Sequence, residues 1–82
     1  MNIRLPYRSL GDYILQQADK IKNTNIKGIM IATKIPLSLI NKHVLQDYEI
    51  PENYIKRYAE FLNVPFESLV KKQKLIMKYK KI

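Results

Sequence analysis

The stretch "IATKIPLSLINKHVL", residues 31 to 45, decides the fold, because it holds two short apolar runs separated by a proline. A proline disfavours helical geometry in the residue before it, so a helix through the first run should end ahead of Pro36. Apolar residues then recur at helical spacing after the proline: Leu37, Ile40, Val44. The stretch therefore predicts a helix, a sharp turn and a second helix.

Two helices are predicted upstream of the turn. Ser9 and Asp12 in "SLGD", residues 9 to 12, are typical of a capping box at a helix start. A helix from about residue 9 to 22 follows with one apolar stripe: Leu10, Ile14, Ala18, Ile21. Thr24 or Asn25 can cap the next helix. Its apolar positions are Ile26, Ile29, Met30 and Thr33.

Two further helices are predicted downstream. Pro51 fits a first-turn position, and a regular stripe follows it: Ile55, Tyr58, Ala59, Leu62. Pro65 opens a short fifth helix with three residues pointing inward: Phe66, Leu69, Val70. The sequence therefore predicts an all-α, five-helix domain over residues 9–70, preceded by an arm at 1–8 and followed by a basic tail at 71–82.

Both ends alternate between apolar and other residues, which is a strand signal. The alternating residues are Ile3, Leu5 and Tyr7 at one end, and Leu75, Met77 and Tyr79 at the other. Short terminal β-strands, paired together or across a dimer, are one interpretation. A frayed N-terminus with a helical or disordered tail is the alternative.

Composition limits the class of protein. Eighty-two residues suffice for one domain, and the absence of cysteine excludes disulfides and suits a reducing cytosol. No secretory leader or membrane-length apolar run is present, so we expect a cytoplasmic protein with no membrane partner. The single histidine, His43, lacks the companions of a metal site or a catalytic group. We therefore expect no enzyme activity, no metal and no cofactor.

Charge is unevenly distributed along the chain. Residues 1–42 hold seven basic and two acidic residues (+5), residues 43–70 hold two and five (−3), and residues 71–82 hold six lysines (+6). Clustered positive charge attracts phosphate backbones by releasing counterions, and it also attracts anionic membranes. A general lysine bias in composition is the alternative explanation.

The order of these elements resembles the Cro/C1-type helix-turn-helix family of phage repressors and bacterial regulators. The closing pattern matches at Ala59, Leu62, Val64 and Leu69. Ile31 and Ala32 match the family's apolar-alanine pair, where the alanine lets two helices approach closely. Pro36 then falls at the glycine of the turn, and Leu37 and Ser38 match the start of the recognition helix. The resemblance covers roughly residues 9 to 70.

Aligned through Ala32, the family pattern expects buried apolar residues at positions 42 and 45. The helical stripe of Leu37, Ile40 and Val44 predicts a different inward face. We adopt the stripe, because a buried unpaired Lys42 would be far costlier than an altered turn. The family's phosphate-clamping polar residue falls on Gly28, so Thr24 or Asn25 would have to replace it.

The resemblance implies that the second helix of the motif enters the major groove of double-stranded DNA. The residues expected to contact bases are Ser38, Leu39, Asn41, Lys42, His43 and Gln46, on a stripe expected to be exposed. Those expected to contact phosphates are Asn25, Lys27, Lys34 and Tyr48. A merely solvated polar face is the alternative.

The function that follows is a sequence-specific, repressor-like transcriptional regulator of phage or mobile-element origin. It is expected to be a homodimer joined through Leu75, Met77 and Tyr79, since one short helix gives little specificity. The tail can instead be a basic arm on the DNA backbone or a solvated end. Two rival functions remain: an adaptor or antirepressor that binds a protein through its Leu39 face, and a membrane-surface protein held by its lysine tail.

Overall fold

The computed structural model describes residues 7–45 and 49–80, with side chains described as far as residue 78. Five α-helices occupy these residues: α1 (Leu10–Lys22), α2 (Ile26–Thr33), α3 (Leu37–Leu45), α4 (Glu52–Leu62) and α5 (Phe66–Lys80). No strand occurs within the described ranges. The all-α prediction with five helices is confirmed. The predicted strand residues Ile3 and Leu5 lie outside the described residues, as do Gln46 and Tyr48.

Ser9 fixes the start of α1 and ties it to the end of α3. Its hydroxyl accepts a 3.0 Å hydrogen bond from the Asp12 amide and donates towards the carbonyl oxygens of His43 (3.0 Å) and Val44 (2.9 Å). The Asp12 carboxylate accepts from the amide of Arg8, at 3.0 Å. The predicted cap therefore forms, with the acidic partner bound one residue further back than in a capping box.

Gly11 lets α1 and α3 approach at backbone distance. A Cβ atom built on Gly11 would overlap the carbonyl group of His43 and lie 2.7 Å from the backbone nitrogen of Val44. Real Cβ contacts are never this short, so no other residue fits here without moving a helix. The close crossing of α1 and α3 fixes the direction in which α3 presents its side chains.

The core draws on every helix. Its fully buried members include Ile14, Ile29, Ile40, Ile55 and Leu69, one from each helix. Every residue of the predicted α4 stripe is buried, and Ile40 and Val44 of the predicted α3 stripe are buried while Leu37 is half-buried. In α1 the first three stripe residues are buried, but Ile21 is 58% exposed, so its predicted burial was wrong.

Residues 71–80 continue α5, so the helical interpretation of the tail is confirmed and the strand interpretation is wrong. α5 is therefore a 15-residue helix rather than a short one. Gln73 is buried and pairs with both backbone groups of Ile50: its Oε1 accepts from the amide (2.8 Å) and its Nε2 donates to the carbonyl (3.3 Å). Ile76 is buried beside it. The tail is thus part of the core as far as Ile76.

Candidate nucleic-acid interface

The turn between α2 and α3 is held by side-chain and backbone hydrogen bonds. Lys34 has a left-handed backbone (φ 60°), and its amide donates to the Met30 carbonyl. The Thr33 hydroxyl donates to the Ile29 carbonyl (2.7 Å) and accepts from the Ile35 amide (3.3 Å). Ile35 is fully buried. These contacts fix α3 relative to α2.

The inward face of α3 consists of Ile40, His43 and Val44. His43 is 0% exposed, and a 2.7 Å hydrogen bond joins its Nδ1 to the Tyr58 hydroxyl of α4. Its ring also lies against Tyr54, with centroids 5.6 Å apart. Burial, aided by the nearby charge of Lys42, lowers the pKa of His43 from 6.5 to about 4, so the ring is neutral at physiological pH. Burial likewise raises the pKa of Tyr58.

The prediction that His43 is exposed and contacts bases is therefore wrong. At about 100° per residue, His43 lies about 60° around the helix from Ile40, within the same inward face. The predicted outward stripe was centred beside the buried face rather than opposite to it. Histidine can occupy such a site when it stays neutral and finds a hydrogen-bonding partner.

The outward face of α3 is Ser38, Asn41, Lys42 and Leu45, at positions i, i+3, i+4 and i+7. Ser38 and Asn41 are exposed, Lys42 is half-buried, and Leu45 is 60% exposed. The structure thus brings three of the predicted base-contacting residues onto one face. Leu39, also predicted, is half-buried at the flank of this face. Gln46 lies outside the described residues.

Those predicted phosphate contacts that the structure describes lie in α2 and at its two caps. Lys27 and Lys34 are exposed at the start and end of α2. Asn25 is also exposed, but its Oδ1 caps α2 by accepting from the amides of Lys27 (3.1 Å) and Gly28 (3.2 Å). Asn25 is therefore the cap that the sequence predicted, and only its side-chain NH₂ group remains for a phosphate. Tyr48 lies outside the described residues.

Electrostatics favour an anion on this side of the molecule. Residues 20–45 contain five lysines and no acidic residue. These residues comprise the end of α1 and all of α2 and α3. Lys42 lies on the outward face of α3 and Lys34 lies in the turn before it, so a ligand on this face meets positive charge, which suits a phosphate backbone.

Two features of the family alignment were placed wrongly. Ala32 is exposed and Ile31 is 72% exposed, so this pair does not form the close contact between helices. Likewise, the left-handed residue of the turn is Lys34 and not Pro36. Both differences move the turn towards the N-terminus.

The three predicted dimerisation residues do not share a face in α5. Leu75 is 41% exposed, whereas Met77 is half-buried, and two helical positions are separated by about 200°. The side chain of Tyr79 is not among those described. The predicted strand-like surface is therefore absent from the described part of the tail.

Sequence reasoning missed the exposure of Leu45 and the hydrogen bond between Tyr58 and His43. The spacing of 38, 41, 42 and 45 directly opposite Ile40 was a signal that could have identified the outward face. The hydrogen bond between His43 and Tyr58 joins residues 15 positions apart on different helices, so no local sequence pattern predicts it.

No protein-family model, curated protein or solved structure matches this chain. Among the described residues, no helix has the length and apolar character needed to cross a membrane.

Proposed function

We propose that the chain binds double-stranded DNA in a sequence-specific manner as a repressor-like transcriptional regulator of the Cro/C1-type helix-turn-helix class. The observation that carries the proposal is the outward face of α3, which presents Ser38, Asn41, Lys42 and Leu45 within an acid-free segment. An outward helix face with mixed polar chemistry and nearby positive charge suits the major groove.

The geometry of the turn supports the family resemblance in a different register. A left-handed position favours glycine, so the turn glycine of the family corresponds to Lys34 rather than Pro36. The same shift of two residues moves the apolar-alanine pair back to Ile29 and Met30. Ile29 is buried and Met30 packs against the core, although Met30 is larger than the alanine of the family pattern.

The same shift also bears on the inward face of α3, where the alignment through Ala32 and the apolar stripe predict different buried residues. The alignment through Ala32 required burial at positions 42 and 45, where the sequence has lysine and an exposed leucine. Two residues earlier, the positions are Ile40 and His43, and both are buried. A shift of two residues thus brings the turn and the inward positions of α3 closer to the family pattern, which supports the proposed resemblance.

The chemistry of each outward residue indicates a role. The Asn41 amide can pair with the N6 and N7 edge of adenine, and Lys42 can donate to guanine. Leu45 can pack on a thymine methyl group, and the Ser38 hydroxyl can contact a base or a phosphate. Lys27 and Lys34 are placed to contact phosphates, which position the protein without selecting sequence.

Dimerisation is part of the proposal, but not through the outward face of α5. Two copies meeting through Leu75 would bring together Lys71, Lys74 and Lys78 from each, and like charges at close range oppose association. Another surface must join the copies. Equilibrium sedimentation of the full chain measures the oligomeric state directly.

Exposed apolar residues favour a second candidate, a protein-binding adaptor. Ile31 and Leu45 are 72% and 60% exposed, so a protein partner that covered them would remove apolar surface from water. In this function Leu45→Asp abolishes binding of a protein partner, while changing Lys27 and Lys34 to Gln has little effect. DNA binding reverses the order of importance, because phosphate contacts dominate affinity.

Selection of duplexes from a random pool tests the proposal. We expect enrichment of a palindrome whose half-sites lie about one helical turn apart, bound ~10³-fold or more above random DNA. Salt-dependent binding without any enriched sequence would reduce the chain to a basic protein on a polyanion. Titration of the selected duplex at two salt concentrations separates these results.

A further inference from the structure

The outward face of α5 carries a row of lysines. Lys71, Lys74, Leu75 and Lys78 are all exposed and follow the i, i+3, i+4, i+7 spacing of one helix face, here called the α5 ridge. Lys71 and Lys78 are about 10 Å apart along the helix axis. Within the described residues, none of the three ammonium groups has a hydrogen-bond or ion-pair partner. The ridge is therefore an available line of positive charge.

The core anchors this ridge. On the opposite side of α5, Gln73 binds both backbone groups of Ile50. On the flank, the Lys72 ammonium lies 4.5 Å from the ring centroid of Tyr13 and 3.4 Å from the Tyr7 hydroxyl. Lys72 is thus engaged with aromatic groups, while its neighbours along the ridge point away. Because the backbone is fixed, ligand binding requires no ordering of the helix.

The ridge is remote from the outward face of α3. α5 packs against α1 and α4, and in the described part of the chain none of its Cα atoms lies within 8 Å of a Cα atom of α2 or α3. α1 and α4 therefore separate the two basic surfaces, in a molecule with principal extents of 39 × 23 × 22 Å.

The chemistry of the ridge fits a phosphate backbone better than a lipid surface. Lysine binds phosphate as a flexible point charge, which suits contacts that do not depend on sequence. Membrane-surface helices need a broad apolar face, and the ridge offers Leu75 alone, since Leu69 and Ile76 are buried in the core. Acidic residues also lie near the ridge: Glu67 is one turn before Lys71, and Glu49 and Glu52 line the same cleft as Lys74.

From this arrangement we infer that the α5 ridge is a second, sequence-independent binding surface for the phosphate backbone of duplex DNA, so that one chain joins two duplexes. The joining of two duplexes rests on the proposed function of α3, whereas phosphate binding by the ridge does not. The ridge holds the second duplex weakly and in a strongly salt-dependent manner.

Two matched variants of the full chain test this inference. K71Q/K74Q/K78Q removes the lysines of the ridge, and K27Q/K34Q/K42Q removes three lysines around α3, so each variant loses the same charge. Circular dichroism and thermal unfolding confirm that both fold. Each protein is loaded on an immobilised duplex carrying the selected site, and capture of a second, labelled duplex of random sequence is measured. Binding to vesicles of phosphatidylcholine and phosphatidylserine is measured in parallel.

The ridge variant should retain binding to the first duplex and lose capture of the second. Unchanged capture would overturn the inference, including the case of a dimer that joins duplexes through two copies of α3. Loss of vesicle binding with unchanged capture would overturn it in favour of a lipid surface. If the α3 variant binds DNA as wild type does while the ridge variant does not, the proposed function fails and phosphate binding by the ridge stands. If wild type binds no duplex, both fail.

Discussion

Helices α3 and α4 are similar in length, yet the sequence predicts the buried face of α4 in full and that of α3 only in part. The four stripe residues of α4 (Ile55, Tyr58, Ala59, Leu62) are all buried, as their spacing predicts. In α3 the inward face includes His43, which its polarity assigned to solvent. The difference is chemical: the inward residues of α4 are apolar or aromatic, whereas α3 buries a titratable ring. Periodicity locates a face reliably only when hydrophobicity and burial agree.

The largest loss of stability is expected from a substitution at the point where α3 crosses α1. Gly11→Ala places a Cβ against the backbone of His43 and Val44, which cannot rotate away. We expect a loss of about 3 kcal/mol in the free energy of unfolding, at the upper end of overpacking costs. Urea denaturation measures it.

Gly28→Ala is the matched control. There the new Cβ meets only the Thr24 side chain, which can change rotamer, and alanine favours a helix by up to about 1 kcal/mol. Equal losses at the two glycines would contradict the close crossing of α1 and α3.

The buried histidine gives α3 a pH dependence in the acidic range, whereas the buried Tyr58 of α4 has a raised pKa and stays neutral there. Above pH 6.5 the ring is neutral in both the folded and the unfolded chain. Between pH 6.5 and about 4 the unfolded chain binds a proton that the folded chain excludes, so stability falls as the pH falls. The full loss is roughly 3 kcal/mol, reached below pH 4.

Unfolding experiments across this pH range measure that loss. His43→Leu serves as the comparison, since the remaining titratable groups are shared and the difference between the two profiles isolates the ring. Parallel profiles for the two proteins would mean that His43 titrates normally and is not buried.

Gln73 of α5 holds the backbone of Ile50, just before α4, by two hydrogen bonds. Gln73→Ala leaves the amide and carbonyl of Ile50 without their hydrogen bonds, which should cost about 2 kcal/mol. The neighbouring change Lys74→Ala, on the exposed side of α5, should alter stability by less than about 0.5 kcal/mol. Equal values for the two variants would show that the tail does not belong to the core.

A smaller effect is expected at the turn before α3. Lys34→Gly relieves the left-handed backbone of a residue with a side chain and should stabilise the fold by up to about 1 kcal/mol. Gly at position 36 has no such benefit, since the residue there is not left-handed. Thermal unfolding of both variants tests whether the turn lies at Lys34, and a gain from Pro36→Gly alone would contradict it.

The sequence predicted most of the fold from local signals. Helix number, the Ser9 cap and the burial of Ile14, Ile29 and Ile55 all follow from spacing and capping residues. The tail left strand and helix as alternatives, because apolar residues alternate there with lysines as they do in a strand. The Gln73–Ile50 hydrogen bonds that hold it as a helix join residues 23 positions apart, which no local pattern predicts.

The candidate site could be predicted only in part, because tertiary contacts decide which side of α3 faces outward. Ser38, Asn41 and Lys42 lie on the outward face of α3, but the centre of that face depends on which neighbour each α3 residue meets. The buried His43–Tyr58 hydrogen bond and the Gly11 crossing set the rotation of α3, and both are tertiary contacts. Local periodicity contains neither contact.

The effect of Asn41→Ala on binding to the selected duplex tests the central claim most directly. If Asn41 reads adenine from the outward face of α3, affinity for that duplex should fall roughly 5- to 150-fold, corresponding to ~1–3 kcal/mol. Affinity for a scrambled duplex should stay unchanged, since phosphate contacts remain. An equal loss on both duplexes, or no loss on the selected one, would contradict the assignment of this face as the DNA-reading surface.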